Sequence, residues 1–567
     1  ESAPLQSMRK VMDAKEQGTL VVVIDPRFTV TASKADLYMG IKPGTDSALA
    51  LGLMNVIFKK GLHDETFLKE HTNAPYLVRN DNGMFLRGAD IGDRKKKAHV
   101  TWHEPSGSAK RVRRSSVKKS AITGTYEVNG IECKPAFQRL VDLAQEYPPE
   151  RAAKITGIKQ DVIIRLAEKI GRTDTVTFFT YMGFTRTYHG DISLRGLATV
   201  ASVTGNVATS FRSGYLPAVL NWDPFLEAKP GEPSFHRMGI LNLYDAVISG
   251  KPYPIKATWF AFINFLNQCV NCNKIINEFF PKLDFIVQTE LFMTPTAKWA
   301  DIVLPVCSFL EFSDFLPHPY PYIQLQQKVI EPLNESKSDV DIVAGLAERL
   351  GYGEYFKGGE ESMIDLMLDH PSLKDVNREK LKKGAMYLRE LPEGSEFPLT
   401  FRTPSNKIEI YSEMLVEDGQ ALPVYLDPIE APISEGDHEY PLTFIQGHSR
   451  FRTHSMFSNL ESLLDLNPEP VVEINPLDAS ERGISSGEEV VVFNERARTV
   501  LKAKLSNGVR PGVINIMEGW WLNQFKEGSV NHLTHDIINP VQDKIYEPNM
   551  HMNDVAVEIK RLEGGKP

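Results

Sequence analysis

Apolar residues follow two different patterns along the chain. In the first two thirds, continuous apolar runs of strand length alternate with stretches of helical apolar spacing, which is typical of α/β proteins. The run Leu20–Ile24 is apolar without alternation, which predicts a parallel strand covered on both faces. From Leu442 onwards the apolar runs are short and are broken by Gly, Pro and Asn, as in a β-barrel. The pattern therefore predicts α/β domains followed by a C-terminal barrel.

Polar residues follow the predicted strands at their carboxyl ends, where ligands gather in open α/β sheets. Asp25 ends the first strand, and its carboxylate could accept hydrogen bonds from a ribose or a purine edge. The turn Pro43–Asp46 then precedes a predicted helix, with Thr45 or Asp46 placed to cap it. The alternative is a strand-end carboxylate and a helix cap that bind no ligand.

Two later strands are predicted to end in the same way. Thr175–Thr180 leads into the loop Tyr181–Arg186, and Phe285–Gln288 ends at Thr289–Glu290. A second short buried strand is predicted at 300–305. The sequence thus places polar groups at the ends of three predicted strands.

The predicted barrel begins with a polar stretch around Gly447. Backbone N–H groups, cations and hydroxyls packed around a glycine can hold a diphosphate. His454 in this stretch has an alternative role as a core histidine whose hydrogen bonds are satisfied within the protein.

The composition restricts the possible functions. The 567 residues have a formal net charge of -9 and are 42% hydrophobic, so several domains can form and no general attraction to nucleic acid or anionic lipid is expected. No apolar run approaches the ~20 residues that a membrane-spanning helix needs. The four cysteines are too few and too scattered for a disulfide framework. Cys269 and Cys272 form a CxxC pair, but zinc needs two further ligands and no second pair follows.

The segment Arg94–Ser120 is rich in Lys, Arg, Gly and Ser. A basic patch of this kind could bind nucleic acid. The aromatic residues on which single-stranded nucleic acid stacks are nearly absent, with only Trp102 present. We therefore expect a solvated insertion loop, and nucleic-acid binding through this loop is the alternative.

Several motifs occur in an order that resembles the dimethyl sulfoxide reductase family, the molybdenum and tungsten enzymes that carry bis(molybdopterin guanine dinucleotide). The motifs are VVVIDPR, IKPGTDSALALGLMNVI, a helix ending in TGN, LDFIVQTELFMTPTAKWADIVLP, GHSRFRTHS and GWW. The resemblance covers nearly the whole chain. It implies Rossmann-like α/β domains of the molybdopterin oxidoreductase type and a C-terminal β-barrel of the double-psi type.

The resemblance also implies how the chain is divided. Residues 1–206 would be the C-terminal part of a Rossmann-like cofactor-binding domain with an insertion at 74–134. Residues 207–400 would be a second α/β cofactor-binding domain with a funnel loop. Residues 401–439 would be a linker, and residues 440–567 the molybdopterin dinucleotide-binding barrel.

Individual residues inherit roles from the resemblance. One guanine end of the cofactor would be held by Asp25, Pro26, Arg27, Gly44, Thr45 and Asp46. Further cofactor contacts would come from the loop residues Met182 and Arg186. The guanosine of the other cofactor would bind Thr289, Glu290 and Asp339. Pterin or phosphate would be contacted by Gly447, His448, Ser449, Arg450, Thr453, His454, Ser455, Trp520 and Asn531. Candidates for substrate contacts are Arg212, Trp222, His236 and Arg237.

The resemblance implies that the protein ligand to molybdenum or tungsten and a [4Fe-4S] cluster lie upstream of Glu1, with no metal ligand inside this chain. It also implies a small-molecule substrate, an iron-sulfur subunit for electron transfer, a membrane anchor in some assemblies, and no nucleic acid. The substrate, the metal and the location (periplasmic, membrane-associated or cytoplasmic) stay open.

The expected activity is two-electron redox chemistry on an oxyanion, an S-oxide, a chalcogen compound or a hydroxylated organic molecule. One alternative is a hydratase, transhydroxylase or dehydroxylase of the same family. Another is a non-catalytic electron-transfer scaffold of a respiratory complex, against which the segments GHSRFRTHS and GWW argue.

Overall fold

A computed structural model describes residues 5–113, 116–180, 183–207, 238–317, 322–387, 401, 403–430, 438–545 and 548–562. The chain divides into two units. The first unit contains Glu1–Phe211, Phe397–Trp520 and Gln524–Pro567. The second contains Arg212–Glu396 and Trp521–Asn523.

The helix Asp46–Lys59 forms the centre of the first unit's α/β core. Its residues Ser47–Ile57 are all buried, because helices pack against it from several sides. Gly52 allows one of these helices to come close, since a Cβ there would lie 2.6 Å from the Cβ of Ala152. The helices of this part are Leu5–Glu16, Asp46–Lys59, Glu65–His71, Ala136–Gln145, Pro149–Thr156, Gln160–Arg172 and Gly190–Val203.

The first predicted strand is parallel, as expected, but it is shorter and more exposed. Strand β1 (Val22–Ile24) pairs in parallel with β2 (Leu37–Met39). The expectation of burial on both faces is wrong, since all three β1 residues are half-buried and Leu20 is 47% exposed. The reason is that β1 and β2, among the described residues, form a two-stranded sheet of their own.

The strand predicted at 175–180 does not form. These residues have no ladder partner within the described part of the chain. The N–H of Val176 instead donates to the side-chain oxygen of Asn206 at 2.8 Å. At Val176 the hydrogen-bond acceptor is thus a side chain and not the backbone of a neighbouring strand.

The insertion, as far as its residues are described, contains five short strands. They are β3 (Leu77–Arg79), β4 (Val100–His103), β5 (Ser108–Arg111), β6 (Tyr126–Val128) and β7 (Ile131–Pro135). Strands β3, β7 and β6 form one antiparallel sheet in that order, and β4 and β5 form a hairpin. Together they enclose a small apolar core.

The expectation that Arg94–Ser120 is a loop is therefore wrong, whereas residues 94–97 and 104–107 are exposed, as expected of a solvated insertion. Trp102 of β4 stacks on Tyr126 of β6 with 4.4 Å between ring centroids, which ties the hairpin to the neighbouring sheet. Several basic residues of the segment are engaged inside the first unit, for example Arg111, which pairs with Asp93 at 3.0 Å. The segment is ordered by packing that its composition did not reveal.

The described residues of the second unit form two three-stranded sheets. The parallel sheet has the order β10-β9-β8, from β8 (Ala257–Ala261), β9 (Phe285–Glu290) and β10 (Ile302–Pro305). The antiparallel sheet is formed by β11 (Asp314–Pro317), β12 (Tyr322–Gln326) and β13 (Met386–Tyr387). The helices are Ile240–Ser249, Phe265–Gln268, Cys272–Lys274, Asp339–Arg349, Gly359–Leu368 and Arg378–Leu381. The strand expected to be buried at 300–305 is an edge strand, and its Ile302 is exposed.

The C-terminal part of the first unit is a closed barrel. Its strands are β14 (Leu442–Gly447), β15 (Val471–Ile474), β16 (Glu489–Phe493), β17 (Arg498–Leu505), β18 (Val513–Met517) and β19 (Val555–Arg561). They close in the order β14-β18-β15-β17-β16-β19, with β14 parallel to β18 and β15 parallel to β17. Short helices at Glu461–Leu466, Pro476–Glu481 and Pro540–Ile545 connect them. The predicted fold class, α/β with a C-terminal barrel, is confirmed.

Among the described residues, no helix combines the length and the apolar character that crossing a bilayer requires.

Candidate functional site

The loop after β1 joins the α/β part of the first unit to the barrel. The Oδ1 atom of Asp25 accepts a hydrogen bond from the N–H of Arg27 at 2.8 Å, which closes a tight turn. Arg27 then reaches Glu473 of β15, with its Nε atom 2.9 Å from Oε2. The guanidinium of Arg27 is therefore held in an ion pair within the protein, while Asp25 remains half-buried at the strand end.

The turn before the central helix is shaped by glycine. Gly44 has φ +74°, and a Cβ there would lie 2.7 Å from Cγ of Pro428. Thr45 occupies the N-cap position, but its hydroxyl donates to the carbonyl of Lys42 at 2.7 Å and caps no helix N–H. The predicted side-chain cap by Thr45 is wrong because the turn uses its hydroxyl. Thr45 therefore leaves N–H groups of the first helical turn for another acceptor.

Asp46 opens that helix. Burial raises its pKa to about 6, its own backbone N–H opposes this, and the charge of Asp25 adds to the rise. The effect of the Asp25 charge on Asp46 shows that the strand end and the helix start, as predicted, lie close together. Two carboxyl groups in this position can accept hydrogen bonds from the donors of a guanine base.

The polar stretch at the end of β14 collects cations and hydroxyls at one end of the barrel. Ser449, Arg450, Thr453 and His454 are half-buried or exposed, whereas Ser455 is buried. Gly447 begins the stretch, and its N–H donates to Oδ1 of Asn515 at 2.9 Å. A Cβ at Gly447 would lie 2.8 Å from that same oxygen, so a larger residue there would push the Asn515 side chain aside.

A buried carboxylate, Glu518, lies beneath this stretch. Its Oε1 atom is 2.5 Å from Nδ1 of His448 and 3.2 Å from Nδ1 of His454. Its Oε2 atom is 2.6 Å from Nη1 of Arg186. We call these four residues the Glu518 cluster. Burial alone would raise the pKa of Glu518, but the two neighbouring imidazoles and the charge of Arg186 hold that pKa well below its usual range.

Two imidazoles and a carboxylate whose ligand atoms lie within 4.8 Å of one another could in principle hold a metal ion. The guanidinium of Arg186 stands against this interpretation, because it already neutralises the carboxylate and would repel a second cation. We therefore interpret the cluster as an ion-pair network.

The sequence did not single out Glu518 or Arg452. Glu518 follows strand β18 directly, so the strand-end argument applied to Asp25 could also have found it. Arg452 is buried with its guanidinium 3.4 Å from the ring centroid of Trp520, and burial lowers its pKa to about 10. Trp520 is thus a buried partner of Arg452, and Asn531 is buried too, where its Oδ1 atom accepts from Gln446 at 3.0 Å.

Arg186 is the only one of the two predicted loop residues that can be placed. It ends a short 3-10 helix, Phe184–Arg186, and its carbonyl accepts the N–H groups of Met552 and Asn553, both at 2.9 Å. Met182 lies outside the described residues, as do Arg212, Trp222, His236 and Arg237.

The second unit has its own polar strand end. Thr289 and Glu290 end β9, next to Asn264, which follows β8. The hydroxyl of Thr289 and the amide nitrogen of Asn264 are buried and have no hydrogen-bond partner among the described residues. Burial raises the pKa of Glu290, whose carboxylate accepts the N–H of Leu291 at 2.8 Å. Buried polar atoms without a partner call for an explanation, and a bound ligand would supply partners here.

Asp339 is the first residue of the helix Asp339–Arg349. Burial raises its pKa, and the neighbouring Ser338 caps the helix by accepting the N–H of Asp341 at 3.2 Å. The nearby Glu311 is structural, since its carboxylate accepts the N–H groups of Ser308 at 2.6 Å and Leu333 at 2.5 Å.

Cys269 and Cys272 are fully buried, free thiols. Cys272 donates to the carbonyl of Leu266 at 3.0 Å, and burial raises the pKa of Cys269. The environment favours the neutral thiol, whereas metal binding and nucleophilic chemistry need the thiolate.

Comparison with known proteins gives the family. Residues 1–349 match the family model described as "Molybdopterin oxidoreductase", and residues 442–546 match "Molydopterin dinucleotide binding domain". The chain is 32% identical to a Halobacterium salinarum protein named as the catalytic chain of a dimethyl sulfoxide reductase, over 97% of this chain and 67% of that protein. It is 29% identical to dimethyl sulfoxide reductase DmsA of Escherichia coli, over 95% of this chain and 67% of that protein.

A solved structure agrees in fold. Acetylene hydratase from Pelobacter acetylenicus matches with a TM-score of 0.74 and 22% identity, over 98% of this chain and 76% of that one. The chain spans about two thirds of the length of the Halobacterium and Escherichia relatives. The matched family model covers more than half of the chain, so this chain belongs to the molybdopterin oxidoreductase family of the dimethyl sulfoxide reductase type.

Proposed function

We propose that this chain is the cofactor-binding part of a catalytic subunit that carries out two-electron redox chemistry on a small molecule. The cofactor would be bis(molybdopterin guanine dinucleotide), whose dithiolene sulfurs hold molybdenum or tungsten and supply the redox chemistry when the cofactor is bound. The protein's own residues would bind the nucleotide tails, orient them and exclude water.

The observation that carries the proposal is the polar stretch at the end of β14. It presents His448, Arg450 and His454 together with the hydroxyls of Ser449 and Thr453 around the end of a strand that ends in glycine. An anionic diphosphate needs such cations and donors. The stretch lies inside the segment that matches a dinucleotide-binding domain.

The strand ends suit the two nucleotide bases. In the first unit, Asp25 and Asp46 provide acceptors for the N–H donors of guanine, and the helix start after Gly44 provides N–H groups. In the second unit, Thr289 and Asn264 provide buried polar atoms without partners among the described residues. Each unit would bind one guanosine, and Glu290 and Asp339 would contribute to the site of the second unit.

The substrate class stays an oxyanion, an S-oxide, a chalcogen compound or a hydroxylated organic molecule. A non-redox hydratase is not favoured by the match to acetylene hydratase, because a likeness at 22% identity bears on the fold alone. A [4Fe-4S] cluster and an iron-sulfur partner subunit belong to the proposal because the redox chemistry needs a route for electrons.

Binding of guanosine monophosphate to the 567-residue chain tests the base sites. We expect saturable binding, with Asp25→Asn weakening it roughly ten- to hundredfold, because a guanine donor left unpaired costs about 1–3 kcal/mol. The variant keeps an oxygen that can accept the N–H of Arg27, so the turn should survive. Adenosine monophosphate should bind weakly to both proteins, since adenine lacks the N1–H donor of guanine.

The matched control is Asp36→Asn. Asp36 accepts the N–H of Val21 at the other end of the β1–β2 pair, away from the proposed base site. This variant should bind guanosine monophosphate as the parent does. Absence of guanosine monophosphate binding to the parent chain, or equal loss in both variants, would contradict the proposed base site.

A further inference from the structure

A cavity of about 610 Å³ opens at the insertion of the first unit. Met84 and Phe85 give it an apolar surface, and Lys96 and Lys97 line it from a neighbouring turn. Small-molecule pockets commonly measure roughly 300–1,000 Å³ and combine apolar surface with a few charged groups. None of the lining residues is among those assigned to the cofactor. We call this space the insertion cavity.

The apolar surface of the insertion cavity is held in place by packing. Phe85 is 4% exposed, and its ring meets those of Tyr76 and Tyr411 edge-on, with centroids 5.8 Å and 5.4 Å away. The N–H of Phe85 donates to Oε1 of Glu413 at 2.8 Å. Met84 is 40% exposed, and its unbranched side chain can adapt to the shape of a bound molecule. A fixed ring and an adaptable thioether thus lie side by side.

The guanidinium and carboxylate groups of the insertion cavity neutralise one another. Arg79 makes two hydrogen bonds to Asp81, at 3.0 Å and 2.7 Å, and its Nη1 atom is 3.4 Å from Oδ1 of Asp90. Arg87 pairs with Glu413, and its N–H donates to Oδ2 of Asp90 at 2.7 Å. Asp90 and Glu413 are the two lining carboxylates, so neither is left unpaired to repel an anion.

The two lysines differ from the arginines. Lys96 and Lys97 are exposed and have no ion pair within the described part of the chain. Their turn is fixed through its backbone, because the carbonyl of Lys96 accepts the N–H of Ala89 at 3.0 Å. Gly88 lets the turn pass close by, since a Cβ there would lie 2.3 Å from the carbonyl oxygen of Lys95. Two ammonium groups without counter-ions are therefore carried to the cavity by a preformed turn.

We propose that the insertion cavity binds a small organic anion, with its apolar body against Met84 and Phe85 and its anionic group at Lys96 and Lys97. A purely inorganic anion leaves the apolar surface in water, and a neutral apolar molecule leaves both ammonium groups without a partner. The chain as a whole has a formal net charge of -9, so the attraction for an anion is local to this turn. This site does not depend on the proposed function.

Phenyl phosphate, which joins a flat apolar ring to a phosphate, is the probe. Its binding to the 567-residue chain is followed by NMR of methionine methyl groups labelled with 13C, and a Met84→Leu variant assigns the Met84 signal. A phenyl ring on Met84 should shift this signal saturably through its ring current. The signal also separates the insertion cavity from the cofactor residues, where a phosphate could bind as well.

Inorganic phosphate and phenol test the two halves of the site separately. Each lacks one of the two contacts, so we expect each to displace phenyl phosphate with an affinity about tenfold weaker than that of phenyl phosphate itself. An affinity of either molecule equal to that of phenyl phosphate would contradict the proposal, because one half of the site would then contribute nothing.

Lys96→Met and Lys97→Met should each weaken binding of phenyl phosphate about threefold, and about tenfold together, because each removes one exposed ion pair. The matched variant is Lys95→Met. Lys95 belongs to the same turn, is exposed and has no ion pair among the described residues, but it does not line the cavity. Its affinity should equal that of the parent. A Met84 signal that phenyl phosphate leaves in place, or an equal loss in Lys95→Met and Lys96→Met, would overturn the proposal.

Discussion

Asp554 is a carboxyl group whose surroundings strongly disfavour a charge. It is 1% exposed, just before β19, and its Oδ2 atom accepts the N–H of Tyr188 at 2.7 Å. Its Oδ1 atom has no hydrogen-bond partner among the described residues. Burial raises the pKa of Asp554 to about 7, the bond from Tyr188 opposes the rise, and the charge of Glu430 adds to it.

Asp554→Asn removes the charge and keeps an oxygen for the N–H of Tyr188. The folded pKa of about 7 lies above the ordinary value of 3.8, so ionisation of Asp554 opposes folding. The cost is absent below pH 3.8, grows as the pH rises, and is complete above pH 7. At 1.36 kcal/mol per pKa unit the full cost is about 4 kcal/mol, and about 2–3 kcal/mol of it appears between pH 5 and pH 8.

The assay is urea unfolding of the parent and variant chains at pH 5 and pH 8. The parent pays the ionisation cost at pH 8 and the variant does not. We therefore expect the free energy of unfolding of the variant, relative to that of the parent, to be about 2–3 kcal/mol more favourable at pH 8 than at pH 5. An amide hydrogen without an acceptor could lower stability, but equally at both pH values, so the difference between them isolates the ionisation.

Exposed Asp465, on a barrel helix, provides the control variant Asp465→Asn, which should show no such difference. The other buried titratable groups are the same in parent and variant, so their contributions cancel. A variant whose stability follows that of the parent at both pH values would refute the reasoning, because the Asp554 carboxyl would then ionise without penalty.

Three further outcomes follow from the packing around the barrel and the second unit. Gly519→Ala should destabilise the chain by about 1–3 kcal/mol through backbone strain, which lowers the melting temperature. It should also displace His454 and so weaken the affinity for inorganic pyrophosphate, a probe of the proposed diphosphate contact. Arg452→Met should lower the free energy of unfolding in urea by about 1.5–3 kcal/mol, because the charged hydrogen bond to Asn467 and the contact of the guanidinium with Trp520 are lost. The tryptophan fluorescence should also shift. Cys269 should resist iodoacetamide in the native chain and react only after unfolding, which mass spectrometry detects; rapid native labelling would contradict its burial.

Sequence reasoning was most successful for site residues that are indicated by a local pattern such as a strand end or a turn. The strand end at Asp25 and the helix start at Asp46 were found from the sequence and lie close enough for their charges to interact. The glycine at 44 is required by its φ and by the nearby proline, as a turn would suggest. The roles of these residues toward a nucleotide stay predictions.

The partners of the predicted residues could not be found in this way. Trp520, which was expected to contact pterin or phosphate, is buried against Arg452. Arg27, which was expected to help hold one guanine end of the cofactor, pairs with Glu473, which is 446 residues away along the chain. Which charges are neutralised inside the protein depends on which distant segments meet, and apolar periodicity carries no information about this.

The failed predictions have the same cause. The apolar run at 175–180 has the composition of a strand, yet a strand exists only where another backbone lies beside it. The segment Arg94–Ser120 has the composition of a loop, yet its hairpin is held by the stacking of Trp102 on Tyr126.

Local patterns were enough to predict the α/β and barrel classes and two of the three strand ends where polar residues stand, because apolar period and turn residues act over short distances along the chain. Two features appear only in the folded chain. Glu518 lies beside Arg186 and both histidines, and Asp554 is desolvated by burial. Both depend on desolvation, and a side chain is desolvated by whatever packs over it, which is set by contacts between segments hundreds of residues apart.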